Sequence, residues 1–223
     1  MSYAAVFAAA LLCAAAPAGH ALDLASGNAH FSVPAVPLKQ LRFAATLRQQ
    51  YDFSCGSAAL ATLLTHHYGL PVDEATVFGQ MYLHGDQARI RREGFSLLDM
   101  QRYLAGIGLR ADGFQLPLDK LAEAGLPAIV LISEKGYHHF VVVKGLAAGR
   151  VLIGDPATGT RMMPRPAFDA AWPSRLLFVI HGRAARFNAS ADWRVAPAAP
   201  LAATLRRDSA ANLTLPLQGT GDF

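Results

Sequence analysis

The feature that most constrains the fold is a change of hydrophobic period partway along the chain. From residue 127 the sequence runs PAIVLIS, HHFVVVKGL, RVLIGDPA and SRLLFVIHG, short apolar or β-branched stretches separated by Gly, Lys, Ala and Pro. Such side chains fit a pleated, half-buried surface, and strands that follow one another without helices between them pair antiparallel. AAGR, between the second and third runs, predicts a hairpin connection. The first half instead reads as helices over 55–70 and 71–84, an exposed turn over 85–94, and a helix opened by Ser96 with Asp99 as a capping-box partner and closed by Gly106 and Gly108. A strand over 109–115, a short helix over 118–124 and the strand 127–133 follow. Helices first and a sheet second predict an α+β fold.

One helix stands apart because it opens on a cysteine. In QQYDFSCGSAALATLLTHHYGL, residues 49–70, Asp52 or Ser54 can cap the helix, Gly56, Ala58 and Ala59 permit close packing, and Gly69 with Pro71 supplies a stop. A thiol in the first turn meets unpaired backbone N–H groups and the positive end of the helix dipole, which favour thiolate. A buried, inert thiol fits the same local sequence. The cysteine count points the other way. The chain has two cysteines, and Cys13 lies in a segment, 1–21, that reads as a secretory signal peptide: no Asp, Glu, Lys or Arg, an apolar centre and small residues at Gly19 and Ala21. Its apolar run is short for a membrane span. The mature chain is thus expected in the periplasm or outside the cell, without stable membrane insertion and with a lone thiol in an oxidising compartment.

Composition excludes less than the motifs do. A formal charge of +4 with 16% charged residues gives a weakly basic chain. The densest basic group, Arg89, Arg91 and Arg92, is followed at once by Glu93 and reads as a solvated loop, so no nucleic-acid partner is expected. The pairs His66-His67 and His138-His139 point apart on a helix or strand and have no zinc-like companions, so neither a metal nor another cofactor is expected. Residues 22–47, with Pro34 and Pro37, read as an extended lead-in, and 184–223 as a tail of no assigned role, with a possible short helix over 201–206.

The sheet supplies partners for the thiol. Only one of His138 and His139 can face a given side of the strand, and His139, two residues before Val141 and four before Val143, is chosen as the base. Asp155 closes the next strand, where Pro156 stops it; in a hairpin the two residues meet at one end, so the carboxylate can orient the imidazole while the imidazole activates the thiol. Gln49, six residues before Cys55, could share with the Cys55 backbone N–H the stabilisation of an oxyanion.

Gln49 before Cys55, the C-G-x-A-A start of the helix, His139 to Val143 as H-F-V-V-V and the G-D-P ending at Pro156, in this order over residues 48–183, resemble the peptidase C39 family. The resemblance implies a papain-like cysteine protease fold with the Cys helix packed on the sheet. It assigns Cys55 as nucleophile, His139 as general base and acid, Asp155 as orienting residue and Gln49 as oxyanion donor. Ser54 stands where transporter-linked members carry Asp, and the chain is more similar to stand-alone exported members, some of which accompany functional-amyloid secretion. The expected function is an exported cysteine endopeptidase acting through a thioester on a secreted or amyloid-forming polypeptide; an amidase or acyltransferase with the same triad, and a noncatalytic peptide-binding or secretion-assisting module, are the alternatives.

Overall fold

A computed structural model describes residues 21–26, 29–34, 36–182 and 185–196. The expected signal segment, apart from Ala21, and the expected helix over 201–206 lie outside them. The chain divides into two compact units at Pro37 and Leu38. In the first, β1 (Ala21–Ser26) and β2 (Ala29–Pro34) form an antiparallel pair, with Ala21 opposite Pro34 and Ser26 opposite Ala29. The extended lead-in expected over 22–47 is therefore a hairpin followed by one helical turn, α1 (Leu38–Leu41). The prolines do not oppose this, because Pro34 ends a strand and Pro37 precedes a helix, where no backbone N–H is needed.

The second unit is built on a six-stranded sheet in the order β3 (Ala111–Gln115), β8 (Leu176–Ile180), β4 (Ala128–Glu134), β5 (Tyr137–Ala147), β6 (Arg150–Asp155), β7 (Gly159–Pro164). Every neighbouring pair is antiparallel. AAGR does close the β5–β6 hairpin: Ala147 faces Arg150, and Ala148 and Gly149 turn with φ of 49° and 69°, the left-handed pair that matches strand twist. The strands do not run without interruption, however. β7 and α7 (Arg165–Ala171) come between β6 and β8. The prolines of MMPRP conceal this helix, since Pro164 sits at its N-cap and Pro166 in its first turn, where proline is tolerated.

Side-chain alternation along the strands gives the sheet two differently used faces. Phe140 and Val142 of β5 join one core with α2 (Cys55–Thr62), the π-helical turn Leu63–His67, α3 (Glu74–His84) and α5 (Leu97–Gly106). Val141 and Val143 join the other, with Phe168 of α7, Trp172 at its C-terminal cap and Leu121 of α6 (Asp119–Ala124). The capping box of α5 is present in full: Ser96 Oγ accepts from Asp99 N, and Asp99 Oδ2 from Ser96 N at 2.8 Å.

Residues 85–94, expected as an exposed turn, contain α4 (Gln87–Glu93). Asp86 caps it by accepting from Arg89 N at 3.0 Å, Arg89 pairs with Glu93 one turn on at 2.9 Å, and Gly94 closes it at φ 77°. Only Ile90 of this helix is buried, so no apolar period marks it. The cap expected at α2 is also different. Ser54 is the N-cap residue, but its hydroxyl turns back to donate to Tyr51 O and accept from Tyr51 N, and no side chain caps the helix.

The last described stretch, 185–196, straps the sheet. Arg186 N donates to His67 O and Asn188 N to Lys144 O, and the Asn188 side chain pairs with both backbone groups of Leu146. α8 (Ser190–Val195) then sends Asp192 to Lys144, a lysine with 0% exposure whose ammonium also donates to Ala45 O at 2.7 Å.

Candidate active site

Register brings the charged residues of four strands to one end of one sheet face. Ile132 lies opposite His139, and Glu134 opposite Tyr137; Ile153 lies opposite Arg161, and Asp155 opposite Gly159. Glu134, Tyr137, His139, Asp155 and Arg161 thus share the face whose other end is the second core. Two glycines keep the β6–β7 turn close to the lead-in. A Cβ on Gly154 would meet Thr46 Oγ1 at 2.9 Å, and one on Gly159 would meet the Arg42 backbone.

His139 Nε2 lies 3.2 Å from Asp155 Oδ2, and both residues are buried. Asp155 is held on all sides. Its Oδ1 accepts from Ala157 N at 2.9 Å and Thr158 N at 3.3 Å, while Oδ2 also accepts from Arg161 Nε and Nη2. Burial alone would raise its proton affinity, but the hydrogen bond and charge of His139, the Arg161 guanidinium and the Ala157 N–H outweigh it and hold the carboxyl well below the usual range. The other ring nitrogen, His139 Nδ1, is buried with no hydrogen-bond partner among the described residues. His138 points the other way and is exposed.

Cys55 is half-buried at the start of α2, packed at the margin of the first core. Burial pushes its thiol up; backbone hydrogen bonds from Phe140 and Gly56 pull the other way, and the Asp155 charge adds to the rise. Desolvation thus opposes the thiolate that the terminal N–H groups favour, and outweighs them. Cys55 lines the same cavity as Phe140, the residue after His139, which sets the sulfur beside β5. The loop before α2 is tied to the same strand ends: Gln49 N donates to Pro156 O at 3.1 Å and Tyr137 Oη to Asp52 O at 3.3 Å. The Gln49 amide donates one N–H to Tyr51 O at 3.1 Å, and its Oε1 is buried without a partner among the described residues.

The four residues singled out in the sequence therefore converge on one strand end. Arg161 and Glu134 were not among them. An Arg six residues past Asp155 in a tight hairpin was the available signal, and without register a lone Arg in GTRMMP carries none. Glu134, His139 and Asp155 put donor atoms within 4.8 Å of one another, which suits a metal ion, but the Arg161 guanidinium bonds both carboxylates and already fills the cationic position.

A cavity of about 780 Å³ opens beside Cys55. Phe53, Phe95, Leu97, Leu131 and Phe140 make it apolar, and Arg89, Arg91 and Arg92 of α4 line its lip.

Comparison with known proteins agrees with this architecture. The family model of the peptidase C39 family matches residues 44–183. A protein of Pseudomonas fluorescens described as a probable functional amyloid protease FapD is 43% identical over 145 residues, which cover 65% of this chain and 64% of that protein, just under two thirds of its length. Its counterpart in Pseudomonas aeruginosa, of the same description, is 38% identical over 173 residues, 73% of this chain and 76% of that one. Among solved structures, a double glycine motif protease from an AMS/PCAT transporter, in complex with the leader peptide, superposes with a TM-score of 0.50 at 25% identity, covering 60% of this chain and 89% of that chain. The chain belongs to the peptidase C39 family of cysteine peptidases.

Proposed function

We propose that this chain is a cysteine endopeptidase in which Cys55 is the nucleophile, His139 the general base and acid, Asp155 the orienting carboxylate and Gln49 an oxyanion donor. The observation that carries the reading is the His139–Asp155 contact. An anionic carboxylate at Nε2 accepts a hydrogen bond from Nε2–H, so the lone pair of the neutral ring lies on Nδ1, the buried atom without a partner among the described residues. Because burial keeps Cys55 protonated, activation is by transfer: S–H gives its proton to His139 Nδ1 as sulfur attacks the peptide carbonyl carbon. The Asp155 charge stabilises the imidazolium so formed. Charge developing on the carbonyl oxygen meets the Cys55 backbone N–H and the second N–H of the Gln49 amide, the one not used by Tyr51. Collapse returns the proton to the leaving amine and leaves a thioester. Water then gives a proton to Nδ1, attacks the thioester and releases the acid, with sulfur recovering its proton.

The apolar cavity beside Cys55 suits the side chains of an extended polypeptide segment. The relatives described as functional amyloid proteases make a secreted, amyloid-forming polypeptide the substrate to try first. We also propose that residues 1–21 direct export. Among the described residues no helix is long and apolar enough to cross a membrane.

The test is incubation of the purified protein with candidate secreted polypeptides from the same cell, with products read by mass. Wild type should yield two fragments whose masses sum to substrate plus water, and Cys55→Ala none. Cleavage retained in Cys55→Ala would refute the assignment, as would binding without cleavage by both proteins. Export is read separately, from the N-terminal residue of the protein recovered from the periplasmic fraction.

A further inference from the structure

We propose that Arg161 is a positioning residue of this site: it shares Asp155 Oδ2 with His139 and uses its charge to hold down the proton affinity of the whole constellation. The proposal rests on the cysteine-peptidase reading above.

The placement follows from register. Arg161 stands opposite Ile153, one pleat from Asp155 on the same face, so the two are diagonal cross-strand neighbours. Nε and Nη2 reach Oδ2 at 3.1 and 3.0 Å, and His139 Nε2 reaches the same atom at 3.2 Å. Three donors therefore compete for one carboxylate oxygen, while Oδ1 is committed to two backbone N–H groups of the turn. The guanidinium is mostly buried, at 18% side-chain exposure, so solvent screens it little. Its other edge binds Glu134 at the end of β4, which joins the β4–β5 hairpin to the β6–β7 hairpin across the site.

Two consequences follow. The planar fork aims Oδ2, because two N–H groups on one atom fix its direction better than a single ammonium would. The cation also divides the carboxylate's charge, so less of it reaches the imidazole. The charged and titratable groups around the His139–Asp155 pair are Arg161 from β7, Glu134 from β4, Tyr137 from β5, Cys55 from α2 and Asp52 from the loop before it. Arg161 is the one permanent cation in that set, which also holds two carboxylates, Glu134 and Asp52, besides Asp155 itself. Removing it makes the site hold protons more tightly; removing Glu134 does the opposite.

The test measures alkylation of Cys55 by iodoacetamide across a pH series in the full chain, quantified on the Cys55 peptide by mass, with thermal melts to verify folding. Arg161→Gln should move the acid-side midpoint of the rate upward by about one pH unit. Arg161→Lys should restore the midpoint while recovering only part of the rate, because it keeps charge without the fork. Glu134→Gln should move the midpoint downward. A lower rate with an unmoved midpoint in Arg161→Gln would reduce Arg161 to a structural prop and overturn the proposal. An equal upward shift in the Lys variant would overturn it too, since charge would not be the cause. Should Arg161→Gln fail to fold, a midpoint in Glu134→Gln that stays or rises refutes it. His139→Ala separates the two readings: if it leaves the wild-type profile intact, the peptidase reading fails and this proposal with it.

Discussion

His139 and Phe140 are consecutive in the chain and face opposite sides of the sheet. Phe140 packs into the core that carries the Cys55 helix, while His139 takes Asp155 on the other face. Cys55 and Phe140 line one cavity, so the thiol stands beside the strand that carries His139.

This separates the two adjacent histidines by function. His139→Ala should lower the rate of Cys55 alkylation at neutral pH by an order of magnitude or more, on the scale of a lost general base, ~100-fold. His138 is exposed and lines the cavity, so His138→Ala should leave the alkylation profile unchanged and alter KM for a polypeptide substrate. Steady-state kinetics beside the labelling assay checks both.

Asp155→Asn should cost about 3 kcal/mol of stability at neutral pH, since it leaves the buried Arg161 and His139 contacts without their charge. The folded carboxyl is held below its ordinary value, so its contribution is present above the unfolded pKa and is lost only as pH falls through the lower folded one. The gap in Tm between wild type and variant should therefore persist well into acid and close only below the ordinary carboxylate range.

His67 gives a pH signature of the same sign in a higher window. Its Nδ1 faces Arg186 O at 2.6 Å, its Nε2 is buried without a partner among the described residues, and burial lowers its pKa from 6.5 to about 4. The unfolded chain binds a proton here before the folded one does, so stability is full above 6.5 and falls between 6.5 and about 4, by about 3 kcal/mol. His67→Gln should flatten that part of the stability curve, measured by denaturant melts across the window.

Gly145 is the point where the C-terminal strap crosses β5. A Cβ there would collide with the Asn188 side chain and sit 3.2 Å from its Cα. Gly145→Ala should cost about 2 kcal/mol and expose residues 185–196 to hydrogen exchange while leaving β5–β6 protected.

Legibility in the sequence followed how local each determinant is. The α5 capping box, the HHFVVVKG strand and the AAGR turn are set by neighbours within a few residues, and each is found where its residues place it. α4 escaped because a helix with one buried side chain has no apolar period, and α7 because its prolines sit where helices begin. At the site, Cys55, His139, Asp155 and Gln49 could be picked by residue type and order. Arg161 could not, because its meaning depends on which residue of β6 it faces. The environment of the thiol was only half legible for a similar reason: the helix terminus is local, whereas desolvation is imposed by elements far along the chain.

Lys144 draws a frontier that the catalytic residues do not. The family match ends at residue 183, yet the carboxylate opposite this ammonium belongs to Asp192. A gene fragment cut to the family limits would keep Cys55, His139 and Asp155 and strand a cation in the protein's interior, forcing it either to shed its proton or to admit water. A piece from Leu38, where the second unit starts, to Ala196, just past α8, respects this chemistry. Anyone trimming the protein for expression should read its end from a lysine, not from the cysteine that motivates the work.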